Sequence, residues 1–178
     1  MSAGDSSHAA PSERRFATLE WRPACPDDEP FLDELYEGTR LDEVLGWGFD
    51  PASARAFLRE QAHIQRRAYL IQYPDAEHRV ILADGVAAGR IILSRGEKEW
   101  SIIDVSMIPA RRGSGIGAWA IQKVQEAAAA ANMPVLLHVA QGNRARALYE
   151  RLGFREASTS ACPCGPARQP LRLEWRPP

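Results

Sequence analysis

Apolar and polar positions along the chain fall into stretches of distinct period. Residues 1–15 show no apolar period and are rich in Ser, Ala, Asp and Glu, the composition of a disordered polar tail. Phe16 to Arg22 alternates as a strand does. Pro26-Asp-Asp-Glu-Pro30 then opens a helix whose first turn carries acidic residues at the positive end of the dipole, and Phe31, Leu32, Leu35 and Tyr36 form its apolar stripe. Thr39 to Asp50, with two glycines around Trp47, reads as a loop. Residues 51 to about 67 read as a second helix with Ala54, Phe57, Leu58 and Ala62 on one side.

Beyond this point the period becomes extended. His78 to Ala83 and Ala87 to Ser94 are strand-like runs joined through Asp84-Gly85, a strong hairpin signal, and Trp100 to Ile108 is a third run closed by Pro109. A Gly-rich turn, Ala110-Arg-Arg-Gly-Ser-Gly-Ile-Gly117, leads into a helix through about Ala131, with Ile116, Ala120 and Val124 on one face. Pro134 to Ala140 has the pattern of a buried strand. Asn143 to Leu152 is a helix ended by Gly153, and strands follow from Phe154 and over Leu171 to Trp175. With no internal repeat and no composition break, residues 16–178 make one α/β domain.

Composition narrows the partners. The chain has 178 residues, 45% hydrophobic and 25% charged, the size and balance of a single globular domain that buries a sizeable core. A net charge of -1 argues against a general nucleic-acid binder and against a basic membrane-surface protein. The start lacks the apolar core of a signal peptide, and no window approaches a membrane span. The three cysteines are an odd number, and Cys162-Pro-Cys164 is too tightly spaced for an unstrained local disulfide. A reduced, cytoplasmic protein is expected, and with no His or further Cys beside that pair, no metal. Only Lys98 and Lys123 are lysines among 22 basic residues. Arginine suits planar anions, and genome composition equally produces such an excess.

The strand followed by a Gly-rich turn and a helix carries the most chemistry. Glycines let backbone N–H groups approach a ligand, and the turn feeds a helix N-terminus whose free donors and dipole favour pyrophosphate. Arg111 and Arg112 add charge there. Gly113-x-Gly115-x-Gly117 is neither the dinucleotide fingerprint nor a nucleoside-triphosphate loop, which needs a following Lys-Ser or Lys-Thr. Such a turn alone is as often structural as ligand-binding.

Two blocks together carry more. Arg112-x-x-Gly115-x-Gly117 resembles the Arg/Gln-x-x-Gly-x-Gly/Ala signature of the GNAT superfamily of acetyl-CoA-dependent N-acetyltransferases. Asn143-Arg-Ala-Arg-Ala-Leu-Tyr149-Glu-Arg-Leu-Gly-Phe154 resembles its later motif, with Asn143 six residues before Tyr149 where seven is the commoner spacing. The resemblance extends over residues 16–176. It implies an α+β fold, a mixed and mostly antiparallel sheet of six or seven strands with four helices, whose fourth and fifth strands splay apart. It also implies an acyltransferase with acetyl-CoA as cosubstrate and no metal. The pyrophosphate would meet the N–H groups of Arg112, Gly113, Ser114, Gly115, Ile116 and Gly117, with Ala118 extending the contact, and Asn143 and Tyr149 would also bind the cofactor. The pantetheine arm would lie along Val105, Ser106 and Met107, where an N–H near Met107 holds the developing oxyanion.

By the same resemblance Tyr149 would donate to the departing thiolate, or else be a half-buried aromatic with its hydroxyl satisfied. His138, an ionisable group breaking the run Val135 to Ala140, is the first choice for the base and equally a core histidine; Asp104 and Glu99 are runners-up. The acceptor would be a small-molecule or peptide amine, facing Thr39 to Asp50 and the Pro-rich loop 159–170. Tyr36, Glu37, Arg40, Trp47 and Trp100 are candidates to line its pocket. The chain would be a monomer or a homodimer paired through an exposed end strand. A non-catalytic acyl-CoA-binding module on this scaffold, or a nucleotide-binding protein using the Gly-rich turn, would use the same residues differently.

Overall fold

The computed structural model describes residues 16–157 and 170–178; the polar tail, Cys162, Cys164 and nearly all of the Pro-rich loop lie outside the described residues. Seven strands form one sheet: β1 (Leu19–Pro23), β2 (Glu77–Ala83), β3 (Val86–Arg95), β4 (Trp100–Met107), β5 (Val135–Val139), β6 (Arg155–Glu156) and β7 (Leu171–Trp175). Their spatial order is β1-β2-β3-β4-β5-β7-β6, antiparallel throughout except for the parallel pair β4–β5. Four helices complete the mixed architecture expected from the sequence: α1 (Glu29–Gly46), α2 (Pro51–Gln72), α3 (Ile116–Ala130) and α4 (Arg146–Arg151).

Local chemistry explains most of the boundaries. Asp84 and Gly85 both take positive φ, 51° and 76°, the backbone that a two-residue hairpin needs to match strand twist. The Asp50 side chain caps α2 by accepting from the N–H groups of Ala52 and Ser53 at 3.0 and 3.1 Å. The Arg22 guanidinium forks onto Asp28 with two 2.7 Å bonds, joining β1 to the 3-10 turn Pro26–Asp28 that precedes α1.

Three boundaries differ from the sequence expectation. Thr39 to Asp50 is not a loop down to Gly46, because α1 runs on through that residue and leaves only Trp47 to Asp50 as the connection. Tertiary packing overrides the weak helix propensity of Thr39 and Gly46: Val44 is fully buried in a cluster with Tyr36, Ala54, Leu58 and Ala62. α2 continues beyond residue 67 to Gln72. α4 begins at Arg146 rather than Asn143, since the Asn143 side chain accepts from the Ala145 N–H at 2.9 Å and holds a turn ahead of the helix. The final strand is also not a free edge, for β7 lies between β5 and β6.

The two faces of the sheet bury different partners. Ile91, Leu93, Trp100, Ile102, Val135, Leu137 and Val139 share a core with Ile116, Ala120, Ile121 and Val124 of α3 and with Tyr149 of α4. By strand alternation Arg90, Ile92, Leu136 and His138 point to the opposite face, the one toward α2. Between Ile92↔Asp104 and Leu93↔Ile102 the β3–β4 register shifts, so Ile103 is the extra residue of a β-bulge. After the bulge Asp104 and Ser106 stand opposite Ile92 and Arg90, on the α2 face.

At this bulge the sheet opens. β4 and β5 pair only at Trp100↔Val135, Ser101↔Leu136 and Ile102↔Leu137. Beyond them β4 stays with β3 out to Gly89↔Met107, while β5 stays with β7 out to Val139↔Leu171. The splay expected between the fourth and fifth strands is therefore a gap that starts at Ile103 and His138. Close approach of β3 holds one lip, since a Cβ at Gly89 would collide with the Ser106 carbonyl and come within 2.5 Å of Met107 Sδ. Gly89→Ala is expected to lower stability by about 1–3 kcal/mol, read from urea denaturation, because the lip must shift to admit one methyl group.

Candidate active site

The lip of the gap formed by β4 presents free backbone. The Ile108 N–H donates to Ala88 O at 3.1 Å, toward β3. Successive peptide groups alternate direction along a strand, so the N–H groups of Met107 and Val105 point the other way, into the gap, while the backbone of Ser106 turns to β3. Of the three residues expected to line an extended ligand, Val105 and Met107 offer it backbone.

The Gly-rich turn lies just beyond. After a 3-10 turn over Pro109–Arg111 the chain passes through Gly113 (φ 68°) and Gly115 (φ 91°) into α3, left-handed conformations that glycine adopts without strain. The first intrahelical bond is from Trp119 N–H to Gly115 O at 3.0 Å, so the N–H groups of Ile116, Gly117 and Ala118 have no helical acceptor. A Cβ built on Gly113, Gly115 or Gly117 meets nothing within 4 Å, so open space stands over the turn. Free donors, a helix N-terminus and an uncovered cradle fit a pyrophosphate such as that of coenzyme A.

Arg112 takes a different part from the one expected. Its N–H is engaged by Pro109 O at 3.2 Å, and its guanidinium donates to Met107 O at 3.2 Å and to Gly38 O at 2.7 Å. The motif's arginine thus ties α1 to the rim of the gap, and the available donors begin at Gly113. The Ser114 hydroxyl is likewise spent on Arg111 O, at 2.5 Å. Arg111 lies 5.2 Å over the Phe16 ring.

Titratable groups flank the gap on both faces. Tyr149 is buried on the α3 face, edge-on to Phe154 at 6.1 Å, and its hydroxyl bonds no described residue. Burial raises its pKa, and the Asp104 charge raises it further, so the phenol keeps its proton beyond the ordinary value of 10.0. Asp104 stands across on the α2 face, with its Oδ2 receiving Arg90 Nε at 2.7 Å and Ser106 Oγ at 2.6 Å. His138 is exposed on the same face, the first β5 residue past the paired segment, so it is not a core histidine. Asp104 and His138 therefore occupy the two lips on one side of the gap and Tyr149 the other side.

The remaining candidates are placed elsewhere. Glu99, at the closed end of β4, pairs with Arg172 at 3.2 Å. Trp100 is a core residue under Arg95, 4.4 Å from its centroid. Tyr36 is buried, its hydroxyl accepting from Arg40 at 3.3 Å, and Glu37 pairs with Arg55 at 3.3 Å. Trp47 is exposed at the α1–α2 connection.

A family model described as the acetyltransferase (GNAT) family matches residues 32–154, more than half of the chain. The chain belongs to the GNAT acetyltransferase family. Solved GNAT acetyltransferase structures share its fold at low identity. The PaiA N-acetyltransferase from Thermoplasma acidophilum, in complex with coenzyme A, superposes with a TM-score of 0.63 at 15% identity, covering 89% of this chain and 99% of that one. The ribosomal-protein-S18-alanine N-acetyltransferase from Escherichia coli gives 0.60 at 15%, covering 89% and 94%. An acetyltransferase from Thermus thermophilus gives 0.61 at 15%, covering 90% and 98%. Among curated proteins no sequence matches. No described helix of this GNAT chain is long and apolar enough to cross a membrane.

Sequence reasoning missed the network that holds Asp104. Arg90 is buried in β3, and besides Asp104 it donates to Gln65 Oε1 of α2 at 2.9 Å and lies 5.9 Å over the Tyr69 ring. The available signal was an arginine inside the apolar run Ala87 to Ser94. His78, opposite Ile92 on β2, completes the cluster with a buried Nε2 that has no hydrogen-bond partner among the described residues. Burial lowers the His78 pKa, Arg90 lowers it further and Asp104 opposes them, so the folded state resists a proton that the unfolded chain accepts near pH 6.5. A lowered histidine pKa contributes stability above the unfolded value and loses it as pH falls. Urea denaturation at about pH 7 and about pH 5.5 should show wild type weakening at the lower pH, and His78→Leu weakening less.

Proposed function

We propose that this chain is an N-acetyltransferase that passes the acetyl group of acetyl-CoA directly to a primary amine of a small molecule or peptide. The observation that carries this reading is the gap between β4 and β5, with Asp104 and His138 on one face, Tyr149 on the other and the donor-rich N-terminus of α3 at its end. Acetyl-CoA supplies the thioester when bound.

The chain's own groups then divide the work. N–H groups from Gly113 through Ser114, Gly115, Ile116 and Gly117 to Ala118 receive the pyrophosphate. Val105 and Met107 pair with the pantetheine arm as a strand edge would, with Asn143 adding its side-chain NH2 because its Oδ1 is held by Ala145. The Met107 N–H meets the thioester oxygen, and such a preorganised donor contributes roughly 3–4 kcal/mol where negative charge develops.

Alkylamines are mostly protonated near pH 7, so the acceptor must lose a proton before it attacks. Asp104, fixed by Arg90 and Ser106, draws the ammonium into the gap, and the exposed imidazole of His138 accepts the proton on its way to solvent. The amine nitrogen bonds to the acyl carbon, the carbon–sulfur bond breaks, the Tyr149 hydroxyl gives its proton to the departing sulfur, and the second proton, which the nitrogen sheds as it becomes an amide, restores the Tyr149 hydroxyl. Its raised pKa keeps it protonated, as a donor must be.

The test combines binding and turnover. Coenzyme A at about 100 times its dissociation constant should stabilise the protein by about 2.7 kcal/mol in a thermal-shift assay, whereas stabilisation by ATP or NAD instead would point to the nucleotide-binding alternative. Tyr149→Phe should lower kcat by roughly 100-fold or more while the acetyl-CoA dissociation constant moves by less than about threefold. Coenzyme A binding without thiol release across a broad amine panel would sink the catalytic reading in favour of a non-catalytic acyl-CoA-binding module.

A further inference from the structure

We propose that the outer face of α2 is the interface of a homodimer in which two copies of this helix pack antiparallel about a dyad at Ile64. The helix turns Ala54, Leu58 and Ala62 into the protein. With 3.6 residues per turn, Phe57, Ile64 and Ile71 at seven-residue spacing form a second stripe about 120° round the helix from the first, with Phe57 at its inner edge packed against the buried cluster. Ile64 is 58% exposed and Ile71 81%, large apolar surfaces on a helix whose other side is already satisfied. At its N-terminal end the stripe broadens, since Phe57 contacts Phe49 at 5.6 Å and Trp47 at 6.4 Å, and both of these rings are exposed.

The pattern is complementary to itself, which is what selects a second copy as the occupant. A two-fold axis through Ile64, perpendicular to the helix, sets residue 64+n of one helix against residue 64−n of the other. Ile64 then meets its own copy, and Phe57 meets Ile71 at both ends, about 21 Å apart. Glu60 and Arg67 lie on the same flank of the stripe, and this axis sets the Glu60 of each copy opposite residue 68 of the other, one residue's rise of about 1.5 Å from Arg67 and within reach of its long side chain. Both residues are exposed, and neither has an ion-pair partner among the described residues. Seven residues apart on one helix, they are two turns too distant to pair within one chain. Antiparallel packing therefore buries the apolar stripe and neutralises both charges with no group left over. The reverse, parallel arrangement would carry this flank of the two copies to opposite sides of the interface, so that Glu60 and Arg67 would not meet.

Sedimentation equilibrium of the full chain tests this. Wild type should be dimeric in the micromolar range. E60R and R67E should each weaken self-association by about tenfold or more, because each reversal creates two like-charge contacts by symmetry. The double variant E60R/R67E should return to within about threefold of wild type, an outcome that loss of folding would not produce. I64C, placed in a C25S/C162S/C164S background, should cross-link into covalent dimers under mild oxidation. A monomeric wild type at all concentrations, a double variant no better than its single parents, or an I64C protein that stays uncross-linked would overturn the proposal.

Discussion

The opening of the sheet, and with it the candidate site, follows from a conflict over partners at β4. β3 keeps β4 for its whole length, to Met107, while β5 keeps β7 for all five of its residues. The two pairings diverge, so β4 and β5 can share only three residue pairs. The extra residue Ile103 absorbs the divergence on the β4 side by bending the strand and resetting which face its side chains reach. Without that reset Asp104 would point into the α3 core. A single inserted residue thus opens the sheet, frees backbone donors and brings a carboxylate to the rim.

The charged cluster beneath the rim is organised by packing as much as by charge. Arg90 is buried between the sheet and α2, where its guanidinium serves Asp104 and Gln65 and stacks on Tyr69. A buried ion pair of this kind is weak evidence for net stability, because desolvation offsets the attraction. Its firmer effect is geometric: Asp104 Oδ2 is held from two sides, by Arg90 and by Ser106, which fixes the carboxylate at the rim. The unpartnered Nε2 of His78 borders the same cluster, so α2 seals a region whose polar demands are met unevenly.

The sequence made the punctuation legible and left the register obscure. Asp84-Gly85, Pro109 and the Gly-rich turn each force a backbone conformation locally, and the elements around them fell where the pattern placed them. The C-terminal half of α1 was hidden because Thr39 and Gly46 are poor helix formers, while the burial of Val44 against α2 is a tertiary fact. The short separation of Asn143 from Tyr149 reads as a departure in sequence and as a capped turn in three dimensions. Arg90 and Asp104 lie on different strands, fourteen residues apart, and only the bulged pairing brings them together. The tail and the loop that holds Cys162 and Cys164 fall outside the described residues.

Arg112 gives the site a property distinct from contact. Its hydrogen bonds go to two carbonyl oxygens, Met107 O and Gly38 O, and carbonyls compensate geometry without cancelling charge. A full positive charge therefore stays fixed at the rim, a few residues from the glycine cradle, and its field reaches outward over roughly a Debye length of about 8 Å at physiological salt. Under the proposed function that field would act on an approaching polyanion before any bond forms, and ionic strength would tune how fast the cradle fills more than how firmly it holds.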